Sequence, residues 1–248
     1  MGESLEREEG ADWAGGAILR PVRNGNTFDE TVQRILQAIK LGVFKYGDRL
    51  PVERELAARL KVSRVTLREA LRTLQQAGCV ESRRGRYGGN FVTYRAAASD
   101  TGDVRRVARD MGPDLADALM FRRILEAGAA QEAARRSLTA AQRATLQERL
   151  SEVGHAPRVA YQQCDSRLHL AIAELTGSHS LATGVAETRM RLNDVLCAMP
   201  MPDEHVETEA EQHRAIVHAI LVGDAEAARR TAEEHVEHAE ARLRELLA

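Results

Sequence analysis

Val62-Ser63-Arg64-Val65-Thr66-Leu67-Arg68-Glu69-Ala70-Leu71-Arg72-Thr73-Leu74 carries two stripes on one predicted helix. Leu67, Ala70, Leu71 and Leu74 recur at the spacing of a buried helical face. Arg64, Arg68 and Arg72 stand four residues apart and share a different side. The Ser63 hydroxyl is placed to cap the helix, and Gly78 to end it. A helix that buries one face and offers arginines on another suits a DNA major groove, where a guanidinium fork matches guanine O6 and N7. Arginines on a helix also occur as a merely solvated face, so the neighbouring segments have to decide.

Upstream, the periodicity of Val32, Ile35, Leu36 and Ile39 predicts a helix over 28–41, closed by Gly42. A turn at Gly47 to Pro51 leads to a short helix that buries Leu56, Ala57 and Leu60, with Arg54 in its first turn. Downstream, 79–84 and 90–94 read as two short strands around Gly85-Arg86-Tyr87-Gly88-Gly89. The glycines permit a tight tip, and Arg83, Arg84 and Arg86 bring charge suited to a minor groove or to phosphates. Three helices and a hairpin are the order of a winged helix-turn-helix. Arg54, Ser63, Arg64, Thr66, Arg68, Gly85, Arg86 and Gly88 form the candidate DNA-contacting set.

Charge separates along the chain in the same way. Residues 27–95 hold 14 Lys and Arg against 7 Asp and Glu, whereas residues 96–248 hold 18 against 25. A basic module joined to an acidic one fits a polyanion binder with a separate partner domain. The expected division is a tail over 1–26, ordered at most around Trp13, a winged helix-turn-helix over 27–95, and a linker over 96–113 with a helical turn or more. A helical domain over 114–248 completes it. Six amphipathic segments make up that last part, roughly 114–136, 139–153, 157–175, 180–199, 203–222 and 224–247, with Thr139, Asp203 and Asp224 as expected N-caps. The fold class is therefore mainly α, a winged helix-turn-helix followed by an all-α bundle.

No stretch approaches the roughly 18 apolar residues of a membrane span, and the first ten residues are acidic, unlike a signal peptide. Cys79, Cys164 and Cys197 are odd in number and scattered, which argues against a disulfide or zinc framework and for a reducing cytoplasm. All eight histidines lie after residue 150. Asp165 and His169, one turn apart on a helix, can address one atom, and His213 and His235 lie on the fifth and sixth segments. Three imidazoles and a carboxylate would suit a divalent transition metal such as zinc, nickel or manganese. An Asp/His pair at this spacing also arises by chance, and His218 and His238 are the reserve candidates.

The runs Leu50-Pro51-Val52-Glu53-Arg54-Glu55-Leu56-Ala57, Val62 to Leu71 and Gly85 to Val92 together resemble the GntR family of bacterial transcription regulators. The resemblance implies operator contacts at Arg54, Arg64, Arg68 and the wing tip. Val52 departs from the family's capping Ser, and Lys61 from its usual turn Gly. Phe121 to Glu126, Asp165-Ser166-Arg167-Leu168-His169, Gln212 to Ile216 and His235 resemble the C-terminal domain of the FadR-type branch. That resemblance implies a metal on Asp165, His169, His213 and His235, with a small organic acid bound beside it. Arg122 is the candidate for holding the effector carboxylate, its alternative being an ion pair with Glu126.

The expected function is thus a homodimeric regulator on palindromic double-stranded operator DNA, acting as a repressor under control of a carboxylate metabolite. Two other readings stay open at this point. In one, the metal is structural or is itself the signal. In the other, the tetrad activates water as a metalloenzyme, although the chain contains no HExxH motif and no placed nucleophile.

Overall fold

A computed structural model describes residues 27–95 and 101–248. The expected tail over 1–26, with Trp13, and the first five linker residues lie outside the described residues. Three helices come first: α1 (Thr27–Lys40), α2 (Glu53–Leu60) and α3 (Arg64–Gln76). Two strands follow, β1 (Val80–Arg83) and β2 (Gly89–Val92), paired antiparallel with Val80 opposite Val92 and Arg83 opposite Gly89. Arg49, read as part of a turn, adds a bridge to Phe91 and so extends the wing by one short edge.

Ile35, Ile39, Leu56, Leu60, Leu67 and Leu74 are all fully or almost fully buried. They are the apolar positions that the helical periodicity singles out. Ser63 caps α3 by accepting from the Thr66 amide. Val52 makes no side-chain cap on α2, and Glu53 and Glu55 face the positive helix end instead. Lys61 closes α2 at φ 53°, and it is the only non-glycine residue at positive φ among the described residues.

The second part contains α4 (Thr101–Met111), α5 (Pro113–Ala134), α6 (Ala140–Gly154), α7 (Tyr161–Leu175), α8 (His179–Ala198), α9 (Asp203–Val222) and α10 (Ala225–Leu247). A single 3-10 turn at Arg158–Ala160 precedes α7. Thr139 and Gln142 form a reciprocal capping box on α6, and Asp224 caps α10 through the Ala227 amide. Pro202, rather than Asp203, holds the N-cap position of α9 and supplies no side-chain bond, because the helix already includes Asp203. Helix α4 occupies most of the segment read as a linker. It buries Val104 and Ala108 in a cluster with Leu192 and Val195 of α8 and Leu243 of α10. Helix α5 packs along α10 and α8, and α7 lies between α6 and α8. This arrangement brings the inner faces of α5, α7, α8, α9 and α10 to one place. No described helix is long and apolar enough to cross a membrane.

The two parts touch directly. The Gln163 amide donates to the Ile39 carbonyl at 3.1 Å, and Arg167 Nη1 donates to the Gly42 carbonyl at 3.0 Å. Gly42 is at φ 76°, and an added Cβ there would come within 2.7 Å of Gln163 Cβ. Lys45 pairs with Glu152 at 3.0 Å and Lys40 with Asp194 at 2.7 Å. The end of α1 is thus docked on the helix that carries Asp165 and His169.

Candidate metal centre and DNA-binding face

On α3 the side chains of Arg64, Arg68 and Arg72 are exposed, as are Arg54 on α2 and Arg86 at the wing tip. Arg68 Nε donates to Glu53 at 2.7 Å, which orients the guanidinium at the junction of the two helices. Thr66 is tied to Ser63 by a 2.8 Å hydroxyl contact at the start of α3. Ser63 is therefore occupied as a cap, while its exposed position keeps it beside the arginines. At the wing, Gly85 is at φ 101°, and a Cβ on Gly88 would collide with the Arg83 carbonyl. Both positions need glycine for the hairpin to close. Val65 on α3 and Tyr87 at the wing tip are 64% and 82% exposed. They are exposed apolar surface next in sequence to Arg64 and Arg86, which charge-based reading passed over.

The acidic part gathers its four candidate ligands. One ligand atom from each of Asp165, His169, His213 and His235 lies within 4.8 Å of the others, and all four residues are buried. Residues 165 and 169 meet because they are one turn apart on α7. His213 on α9 and His235 on α10 join them through helix packing. The imidazole centroids stand 4.5 to 5.5 Å apart.

Asp165 Oδ1 and the Nε2 atoms of His169, His213 and His235 have no hydrogen-bond partner. Even the approach of His213 Nε2 to Asp165 Oδ1, at 3.0 Å, is not aligned as a hydrogen bond. Leaving a buried polar group unsatisfied costs about 1–3 kcal/mol. Four such atoms converging is therefore expensive, unless a cation accepts all four. This nitrogen-rich donor set with one carboxylate fits a divalent transition metal.

The surrounding bonds orient the ligands. His169 Nδ1 faces Glu126 at 3.1 Å and His235 Nδ1 faces Gln212 at 3.0 Å, so each ring turns its Nε2 inward. Arg189 lies beneath, 1% exposed, with Nη1 on Asp165 at 2.7 Å and Nε on Glu126 at 2.8 Å. Burial would raise the Asp165 pKa, but the charges of Arg189 and His169 hold it well below the usual carboxylate range. Burial, together with the Arg189 charge, pushes His169 down, and burial with the neighbouring imidazoles pushes His235 further down. An ionised carboxylate and neutral imidazoles are the forms that bind a metal.

Arg122 is buried and pairs with Glu126 at 3.2 Å, the ion pair that its i, i+4 spacing allows. It also lines a small cavity together with Asp165, His235, Gln162, Glu209 and Arg242. Sequence reasoning missed Arg189, Glu209 and Arg242. No spacing ties them to the tetrad, and the only signal was an arginine within an otherwise small and apolar helical face. Arg123 makes a surface pair with Glu237 at 2.9 Å. The reserve candidates stay outside the centre: His218 is exposed, and His238 packs against His205.

Comparison with known proteins gives the same two parts. The family of bacterial regulatory proteins, gntR family, matches residues 27–89, and the FCD domain matches residues 117–238. The chain is 34% identical over 224 residues to the Escherichia coli K12 protein named "Putative L-lactate dehydrogenase operon regulatory protein", covering 84% of this chain and 83% of that one. It is 32% identical over 208 residues to the Uxu operon transcriptional regulator of the same organism, covering 80% and 79%. Among solved structures, E. coli McbR/YncC aligns with a TM-score of 0.52 at 20% identity, over 89% of this chain and 98% of that one, which is a likeness of fold.

Proposed function

The chain belongs to the GntR family, with an FCD domain behind its DNA-binding module, and we propose from this premise that a metal-dependent carboxylate sensor controls its hold on DNA. It is a DNA-binding transcription regulator and not an enzyme: both matched domains and the full-length relatives are those of regulators. In our reading residues 27–95 bind a palindromic operator as a homodimer, with Arg64 and Arg68 reaching base edges and Arg54, Thr66 and Arg86 beside them. Residues 114–248 sense the ligand, and α4 belongs with them by its packing. Free cysteines support a reducing, cytoplasmic setting.

The observation that carries the sensor reading is the set of four buried, unsatisfied ligand atoms on Asp165, His169, His213 and His235. A divalent transition metal such as zinc, nickel or manganese would be held there and would supply a Lewis-acidic anchor for a carboxylate. Arg122, in the adjoining cavity wall, would steady that carboxylate. Helix α7 offers a short route to the DNA-binding part. One face carries Asp165 and His169, and the other carries Gln163 and Arg167, which grip the end of α1. A shift of α7 on effector binding would move the two recognition helices of a dimer relative to each other.

One observation favours a second reading, a structural or directly sensed metal with no organic effector. The cavity beside Asp165 and His235 has a volume of only about 10 Å³, room for about one water. An effector held by Arg122 would have to open it, although a larger cavity of about 350 Å³, lined by Tyr161, Ala210 and His213, reaches the centre from another side.

Metal content by mass spectrometry, on the wild type and on His213→Ala and Asp165→Ala/His169→Ala, tests the centre. About one equivalent in the wild type, lost in both variants, is the expected result. Absence of metal from the wild type after reconstitution would overturn the sensor reading and leave the DNA-binding assignment standing. Operator affinity that follows metal but ignores carboxylates would favour the second reading.

A further inference from the structure

We propose that the effector is a short dicarboxylate, with one carboxylate at the metal and Arg122 and the other on Arg242. This rests on the sensor reading above and names its ligand class. It starts from the buried charges around the centre. Among the described residues, Arg122, Arg189 and Arg242 face Glu126, Asp165 and Glu209, and all six are at most 6% exposed. Their pairing is closed: Glu126 meets Arg122 and Arg189, Asp165 meets Arg189, and Arg242 meets Glu209. Arg167, also buried, pairs with Glu152 on the far side of α7 and stands outside this account.

Three guanidiniums and three carboxylates cancel. Metal-bound imidazoles are neutral, so a divalent cation adds two positive charges that no protein group balances. Asp165 does not supply the balance, because Arg189 already holds its other oxygen at 2.7 Å. An uncompensated charge in a buried site is costly. The ligand that completes the site should therefore carry two negative charges. A monocarboxylate would leave one positive charge over.

Arg242 marks where the second charge would lie. It lines the same cavity as Arg122, Asp165 and His235. Its Nη1 is fixed on Glu209 at 2.7 Å, and Tyr161 holds the other Glu209 oxygen at 2.6 Å. Its Nη2 is spent on a neutral acceptor, the Pro200 carbonyl, at 2.8 Å. A carboxylate outcompetes a carbonyl for a guanidinium, since it adds the attraction of a full opposite charge to the hydrogen bond and can accept from the fork bidentately. Between His235 and Arg242 on the same face of α10 stands Ala239, whose small side chain also lines the cavity. Pro200 belongs to the connection from α8 to α9, which also contributes Met199 and Met201 to the cavity wall. Taking Nη2 away from Pro200 would free that connection to move, which the present volume of about 10 Å³ requires of any ligand of this size.

The test is calorimetric titration of the zinc-reconstituted full chain with malonate, succinate and glutarate. Each is compared with its own monoamide, which keeps the shape and removes one charge, and acetate is run alongside. At least one diacid is expected to bind about tenfold or more tighter than its monoamide. Arg242→Gln/Glu209→Gln leaves the net buried charge, and with it the general demand for a dianion, unchanged but removes the guanidinium that would hold the second carboxylate, so that advantage should fall by about threefold or more. A monoamide or acetate binding as tightly as the best diacid would overturn the proposal and leave the sensor reading intact. So would an advantage that is undiminished in the double variant. If no carboxylate of either kind binds the zinc-loaded protein, the sensor reading fails with it. Should the double variant not fold, the wild-type comparison alone decides.

Discussion

Replacing Arg167 by methionine tests whether the DNA-binding part is held on the ligand-sensing helix. The guanidinium is buried and makes one bond across the junction, to the Gly42 carbonyl at 3.0 Å, and two within its own part, to Glu152 on α6 at 3.1 and 2.8 Å. Methionine keeps much of the apolar stem and removes all three. A buried carbonyl left without its donor costs about 1–3 kcal/mol. Breaking a buried ion pair would cost about 3–5 kcal/mol if it stranded the partner charge. Glu152 is not stranded, because Arg149 remains at 2.6 Å and Lys45 at 3.0 Å. The expected loss is therefore about 3 kcal/mol in all. Urea denaturation gives the magnitude, and hydrogen exchange of the amides from Ile39 to Phe44 gives the location. Arg149→Met serves as the control, since Arg149 also pairs with Glu152 but has no recorded bond to the DNA-binding part; about 1 kcal/mol is expected there. A loss for Arg167→Met no larger than the control, with unchanged exchange at the end of α1, would refute the docking argument.

Further expectations concern the DNA-binding surface, the turn and pH. Arg64→Ala and Arg68→Ala should each weaken a selected operator by about 1–3 kcal/mol at fixed salt, read by fluorescence anisotropy; equal loss on random DNA would reassign both to phosphate contact. Lys61→Gly should stabilise the protein by about 1 kcal/mol, because Lys61 is at φ 53° where a side chain is strained; a destabilised variant in thermal melts would contradict this. Acid should act in two windows on the chelated protein. His169 and His235 are pushed below their usual 6.5, so the unfolded chain takes up protons that the fold refuses, and stability falls as pH drops through 6.5. Glu126 and Glu152 tend to be raised by burial but are held at about 2 by their arginine and lysine partners, so their contribution is lost between about pH 4.5 and 2. Stability that stays flat from pH 7 to 5 in urea titrations would argue against neutral buried imidazoles.

Sequence alone determined what local rules govern. The stripe of Leu67, Leu71 and Leu74 opposite Arg64, Arg68 and Arg72 gave α3, its buried side and its free one. The Ser63, Thr139 and Asp224 caps were readable because a cap bonds within three residues of itself. The Asp165/His169 pair was likewise readable at i, i+4. Asp203 misled because a polar residue beside Pro202 can cap a helix or begin one, and the backbone decides which. Only the tertiary structure brought His213 and His235 within 4.8 Å of that pair, put Arg189 beneath it and set Arg242 in the wall of the same cavity. It also decided that α7 meets α1 through Arg167 and Gly42, residues 125 apart in the chain. Such contacts leave no periodic trace in the sequence. They follow from which helix faces pack together, and that is fixed by burial summed over the whole domain.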